Sequence, residues 1–159
     1  MRSQSGFSLI ELLIVVAIIL VIAAIAIPNL LRSRIAANEA SAVNSLRTLT
    51  TAENTYYSTY PTFGFACSLI SLGGGKTPPD NTAAGIIDDT LRGGLKAGYQ
   101  FTNGVCIKSG ALTVGYQYSG APLAPQQSGI RYFCVDTSGI VKFSSVSVAD
   151  CYALGQPIQ

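Results

Sequence analysis

Histidine is absent from the 159 residues, which removes the commonest general base and the commonest metal ligand together. There is no G-x-S-x-G elbow, and carboxylates pair only in turn-like segments, so neither hydrolysis nor acid–base catalysis has a constellation to build on. The chain is expected not to be an enzyme and to need no cofactor. Charge is scarce as well: Asp, Glu, Lys and Arg make up 11% of residues, against about a quarter in ordinary soluble domains. The net charge of +2 includes no basic run, so no nucleic-acid partner held through phosphates is expected. Four cysteines occur (Cys67, Cys106, Cys134 and Cys151), none at C-x-x-C spacing. Zinc needs closer paired ligands. An even count in a small exported domain reads instead as two disulfides, with three connectivities open.

What the chain does have is one long apolar run. Of the twenty-one residues from Phe7 to Ile27, only Ser8 and Glu11 are polar. As a helix the run is about 31 Å long, enough to cross a hydrocarbon core about 30 Å thick. Glu11 is the anomaly, because a carboxylate in a membrane-length segment costs several kcal/mol unless something compensates it. Ser8-x-x-Glu11 also fits a capping box, and the helix dipole favours an acid in the first turn. Ahead of the run, Met1 to Gly6 is a short polar leader. Its single positive charge, Arg2, agrees in sign with a cytoplasmic N-terminus. Ala24-Ile25-Ala26 mimics a conventional signal-peptide cleavage site. The sparse positive charge before the run and Glu11 within it count against that reading.

Pro28 follows the run, and its missing N–H predicts a kink or a locally melted turn. Beyond it, Ile35, Ala42/Val43, Leu46, Leu49, Ala52 and Tyr56 recur at three- and four-residue steps. Arg32, Arg34, Glu39, Asn44, Arg47 and Glu53 are assigned to other faces. The helix is therefore expected to continue as an amphipathic half to about Ser58, where Tyr60-Pro61 stops it. Tyr56, Tyr57, Tyr60, Phe63 and Phe65 form an aromatic cluster at its end, read as core support for a head.

Residues 62 to 97 read as an irregular connection. Gly73-Gly74-Gly75-Lys76 lacks phosphate-loop spacing. Asp80, Asp88 and Asp89 read as solvated turn acids, because the calcium-loop pattern is missing. A short helix is expected from Asp89 to Leu95. From Gly98 the period becomes two: a strand over Tyr99 to Thr102 ends at the turn signal Asn103-Gly104, and Leu112 to Tyr118 forms a second. Gly120-Ala121-Pro122 and Pro125 mark a loop. A hairpin follows, with Arg131 to Val135 and Ile140 to Phe143 flanking Asp136-Thr137-Ser138-Gly139. The expectation is α+β: a long helix over 7–58 against an antiparallel sheet of three or four strands.

The stretch Gly6-Phe7-Ser8-Leu9-Ile10-Glu11-Leu12-Leu13-Ile14-Val15-Val16-Ala17-Ile18-Ile19 closely resembles the N-terminal signature of type IV pilins and of the related type II secretion pseudopilins. Pro28 stands where those proteins usually carry a helix-bending proline, and the likeness runs from Met1 to about Leu31. The resemblance implies the type IV pilin fold. It also implies a leader at 1–6, a helix at 7–58 (7–27 for membrane or filament core, 28–58 amphipathic), a connecting loop at 59–97, and a sheet with a disulfide-bound C-terminal loop at 98–159. A prepilin peptidase would cut between Gly6 and Phe7 and methylate the new amine of Phe7. Glu11 would then pair with the Phe7 ammonium of a neighbouring copy during assembly. The family's C-terminal loop implies Cys134–Cys151, leaving Cys67–Cys106. No catalytic or metal site is implied. The implied partners are further copies of the chain, the peptidase, an assembly machine and the bacterial inner membrane. In that membrane the chain would be single-pass, with its N-terminus cytoplasmic and its head periplasmic, before export into an extracellular pilus. Two alternatives remain: a secretion pseudopilin forming a short periplasmic pseudopilus, and a single-span anchored binding protein.

Overall fold

The computed structural model describes residues 7–158; the expected leader, Gly6 included, lies outside them. The first element, α1, spans Leu9–Thr59 as one 51-residue helix with Pro28 inside it. Pro28 is therefore not a terminator. The helix ends one residue past the expected Ser58, just before Tyr60-Pro61, because a proline ring obstructs helical backbone at the residue before it. By internal contacts the chain divides into two compact units, one ending at Arg34 and the other beginning at Ile35.

In the second unit the helix is followed by α2 (Leu69–Leu72), α3 (Asp89–Arg92), β1 (Leu95–Lys96), β2 (Tyr99–Asn103), β3 (Ile107–Ser109), β4 (Leu112–Gly115), β5 (Gln117–Pro122), β6 (Tyr132–Asp136), β7 (Lys142–Ser144), α4 (Val148–Leu154) and β8 (Gln156–Pro157). One sheet has the order β1-β2-β5-β6-β7-β8, and β3-β4 form a separate hairpin. All the pairings are antiparallel. The expected three or four strands correspond to β2, β5, β6 and β7. The two-residue strands β1 and β8 sit at the edges and carry no alternation long enough to read.

Three expectations are corrected. The predicted strand 112–118 is two strands of different sheets, β4 and the start of β5, so Asn103-Gly104 opens an inserted hairpin rather than turning directly into the next strand. Gly120-Ala121-Pro122 is not a loop but the end of β5, paired with Tyr99 to Phe101. Glycine stands there for packing, since a Cβ on Gly120 would meet the Phe101 ring at 3.1 Å. The helix predicted over 89–95 stops at Arg92, where Gly94 turns the chain at a φ of +75° and Leu95 enters β1.

The core of this unit lies between α1 and the sheet. Ala42, Leu46, Leu49, Ala52 and Tyr56 meet Tyr99, Phe101, Tyr118, Phe133 and Val135, with Leu69, Leu72 and Leu91 closing one side. The aromatic cluster holds in part. Tyr56–Tyr60, Tyr57–Phe65 and Phe65–Tyr116 pack at centroid distances of 4.9, 5.0 and 5.1 Å, whereas Phe63 is exposed. Of the three cysteine connectivities the structure holds Cys67–Cys106 and Cys134–Cys151, with sequence separations of 39 and 17 residues.

Candidate assembly site

The first turn of α1 is closed from both directions. Leu12 N–H donates to the Ser8 carbonyl, and Ser8 N–H donates to Glu11 Oε2 at 3.3 Å. That second bond is the reach-back half of a capping box, which satisfies an N–H the helix leaves orphaned. Beyond it the helix is bare. Every large apolar side chain from Phe7 to Leu31 is exposed, from 44% at Val16 to 77% at Phe7. The most apolar 18-residue window has a mean hydropathy of 3.3 and no buried residue. This is the largest exposed apolar surface of the described chain, far beyond what a soluble monomer leaves open. Glu11 is its one carboxylate, exposed and bonded only to the Ser8 amide among the described residues. Phe7, Glu11 and Pro28 thus all lie in or beside the bare unit.

The second unit holds two carboxylates that the sequence pattern sets off the buried stripe of α1 and the structure places on it. Glu39 and Glu53 are buried, not solvent-facing. Glu53 is fully enclosed: its Oε1 accepts from Cys67 N–H at 2.7 Å and from the Tyr118 hydroxyl at 2.5 Å, and its Oε2 accepts from Ala66 N–H at 2.7 Å. Burial pushes its carboxyl above the ordinary value of 4.5, against the opposing pull of those three bonds. Burial, then the neighbouring Glu53 charge, pushes the Tyr118 hydroxyl up in turn. Glu39 accepts from Ile130 and Arg131 N–H groups at 2.9 and 3.1 Å and pairs with the Arg131 guanidinium at 2.7 and 2.8 Å. That guanidinium also lies over Phe133 and Phe143, at 5.5 and 5.1 Å. Each acid clamps an irregular segment onto the helix: Glu53 holds the turn at Cys67, and Glu39 the entry to β6. A signal for both was present, since 39, 42, 46, 49, 53 and 56 advance by alternating threes and fours. Reading the stripe through apolar residues alone skipped its two acids.

The turn acids have local tasks. Asp80 accepts from Lys76 Nζ at 2.7 Å and from Thr82, and the lysine bond first holds its carboxyl well below the usual range. Asp88 caps α3 through Leu91 N–H at 2.8 Å, which lowers its pKa. Asp89 pairs with Arg92 at 3.0 Å. Among the described residues, no three Cys, Asp or Glu side chains are grouped as metal ligands would be.

A long N-terminal helix packed on an antiparallel sheet with a C-terminal disulfide is consistent with the type IV pilin fold. Residues 1–27 match the family described as the prokaryotic N-terminal methylation motif. The type IV wide pilus major component PilA4 of Thermus thermophilus is 41% identical over 83 residues, covering 52% of this chain and 63% of that protein. The type IV major pilin protein PilA of Myxococcus xanthus is 47% identical over 53 residues, covering 33% of this chain and 24% of that protein. The chain thus spans less than two thirds of either curated relative. No solved structure matches it. The chain is similar to these type IV pilins over those spans, and the methylation-motif match overlaps the start of a helix long and apolar enough to cross a membrane.

Proposed function

We propose that the chain is a type IV prepilin, a structural subunit rather than a catalyst. A prepilin peptidase cuts it between Gly6 and Phe7 and methylates the Phe7 amine, after which copies polymerise into a filament. The observation that carries this reading is the bare helix. It exposes every large apolar side chain from Phe7 to Leu31 around one carboxylate, a surface that must lie in lipid or against other copies. Lipid already hides it from water, so moving it into a fibre gains little hydrophobic free energy. Extraction from the membrane therefore needs an energy-coupled assembly machine, while persistence in water comes from apolar burial of about 2 kcal/mol per large side chain. In the fibre Glu11 is desolvated, and the Phe7 ammonium of a neighbour is the counter-charge that keeps it from opposing assembly. Pro28 supplies the point at which the helix bends to meet its neighbours. The membrane form is single-pass, its N-terminus cytoplasmic and its head on the far side.

Intact mass of the protein from native membranes and from sheared surface material tests this. The expected result is a chain lacking residues 1–6, carrying one added methyl and present in the sheared fraction. The same mass confined to membranes would make it a pseudopilin, and a cut near Ala26 would overturn both readings.

A further inference from the structure

Five ion pairs consume most of the charge of the described residues: Lys76–Asp80, Arg92–Asp89, Lys96–Asp88, Arg131–Glu39 and Lys142–Asp136. In the unit beginning at Ile35 this leaves two cations, Arg47 and Lys108, and one carboxylate outside the interior, Asp150, with no ion pair among the described residues. Lys108 sits on β3, all of whose residues are exposed, so an anion there would stay in water, where attraction is weakest. Arg47 is exposed too, but it stands in a concavity from which a docked partner would exclude water. It lines a surface groove of about 470 Å³ together with Asn44, Thr48, Thr51, Thr55 and Ile86. The hydroxyls of Thr48, Thr51 and Thr55 donate to the carbonyls of Asn44, Arg47 and Thr51 at 3.0, 3.1 and 3.0 Å. With those hydrogens already bonded within the helix, the groove can lose its water without leaving a hydroxyl donor unpaired.

Asp150 stands in the first turn of α4, where the Ser147 hydroxyl donates to its Oδ2 at 2.5 Å. Its Oδ1 accepts no hydrogen bond among the described residues. Val146 and Leu154 on either side are 71% and 82% exposed, and Leu154 is the most exposed large apolar side chain described. An unpaired carboxylate between two bare apolar side chains complements a groove that holds an unpaired guanidinium.

We propose that the Arg47 groove of one copy receives the α4 edge of a second copy. The guanidinium meets the free Asp150 oxygen, and Val146 and Leu154 lie against the threonine methyls and Ile86. The two surfaces differ, so the contact is heterologous and repeats without closing, as a filament requires. This deepens the pilin reading and rests on it.

A charge-reversal cycle in the filament-forming host tests the pair, using the full chain and sheared-filament yield as the readout. Arg47→Asp and Asp150→Arg alone should each lower the yield about tenfold, and the double reversal should restore it to within about twofold. A neutral cycle (Arg47→Gln, Asp150→Asn and both together) guards against a reversal that fails to fold. The double neutral variant should be no worse than either single one. Undiminished yield in the single reversals, or additive losses in the neutral cycle, would overturn the contact. If the unaltered chain forms no filaments, it is the pilin reading that fails, and the two failures are distinguishable.

Discussion

Leu9 to Leu31 and Ile35 to Thr59 are two stretches of one helix with the same backbone and opposite relations to the rest of the chain. In the first stretch every large apolar side chain is exposed. In the second, Ala42, Leu46, Leu49, Ala52 and Tyr56 are buried, and so are Glu39 and Glu53 on the same stripe. The contrast shows what an acid does in each setting. Glu11 has one long bond to the Ser8 amide and stands on an apolar surface with no ion pair among the described residues. Glu53 accepts three short bonds from its own chain. A helix whose polar groups are satisfied internally belongs to a finished fold. One that leaves a carboxylate without an ion pair among the described residues, on an apolar surface, is what the proposed assembly role requires.

The largest effect that would break this comparison is at Glu11. Glu11→Ala is expected to leave the protein in the membrane and abolish sheared filaments; normal filament yield would place the assembly contact elsewhere. Next comes Glu53→Ala, which strands the half-buried Ala66 amide, the buried Cys67 amide and the Tyr118 hydroxyl. Urea unfolding in micelles should show a loss of about 4 kcal/mol, whereas Glu11→Ala in the same assay should change stability by less than about 0.5 kcal/mol. A matched apolar pair sharpens the point. Leu46→Ala, fully buried, is expected to cost about 3 kcal/mol. Leu20→Ala, at 63% exposure, should leave subunit stability unchanged and appear only in the filament. Equal costs at the two leucines would contradict the division.

The smallest effect is a pH slope. Burial raises the folded-state pKa of Glu53 above the ordinary 4.5, so above that pH the folded chain holds a proton that the unfolded chain has released. Stability from this group is then fully present below 4.5 and falls as pH rises through the raised value. Asp80, Asp88 and Asp136 have lowered values and act in the opposite sense, losing their contribution as pH falls below about 3.8. The difference in unfolding midpoint between the native chain and Glu53→Gln, followed from pH 4 to 8, isolates the Glu53 slope. A pH-independent difference would show that the carboxyl is not perturbed.

Much of this protein was legible in order along the chain. Hydropathy and length set the bare helix, the three–four spacing carried it past Pro28 to its stop at Tyr60-Pro61, and period-two stretches marked β2, β6 and β7. These follow from residues acting on near neighbours, where period and propensity decide. What reached across the chain was not legible. The hairpin inserted between β2 and β5, the edge strands β1 and β8, and the place of Gly120 under an aromatic ring depend on contacts between residues distant in sequence. The same holds at Glu39 and Glu53. An isolated acid in a helical pattern reads as solvent-facing, because only a partner 13 to 92 residues away offsets the desolvation of a buried carboxylate. The sequence alone determined that an apolar helix must find lipid or another copy. Tertiary structure decided that Glu39 and Glu53 are acids the chain satisfies for itself, because compensation of a buried charge is a matter of three-dimensional proximity.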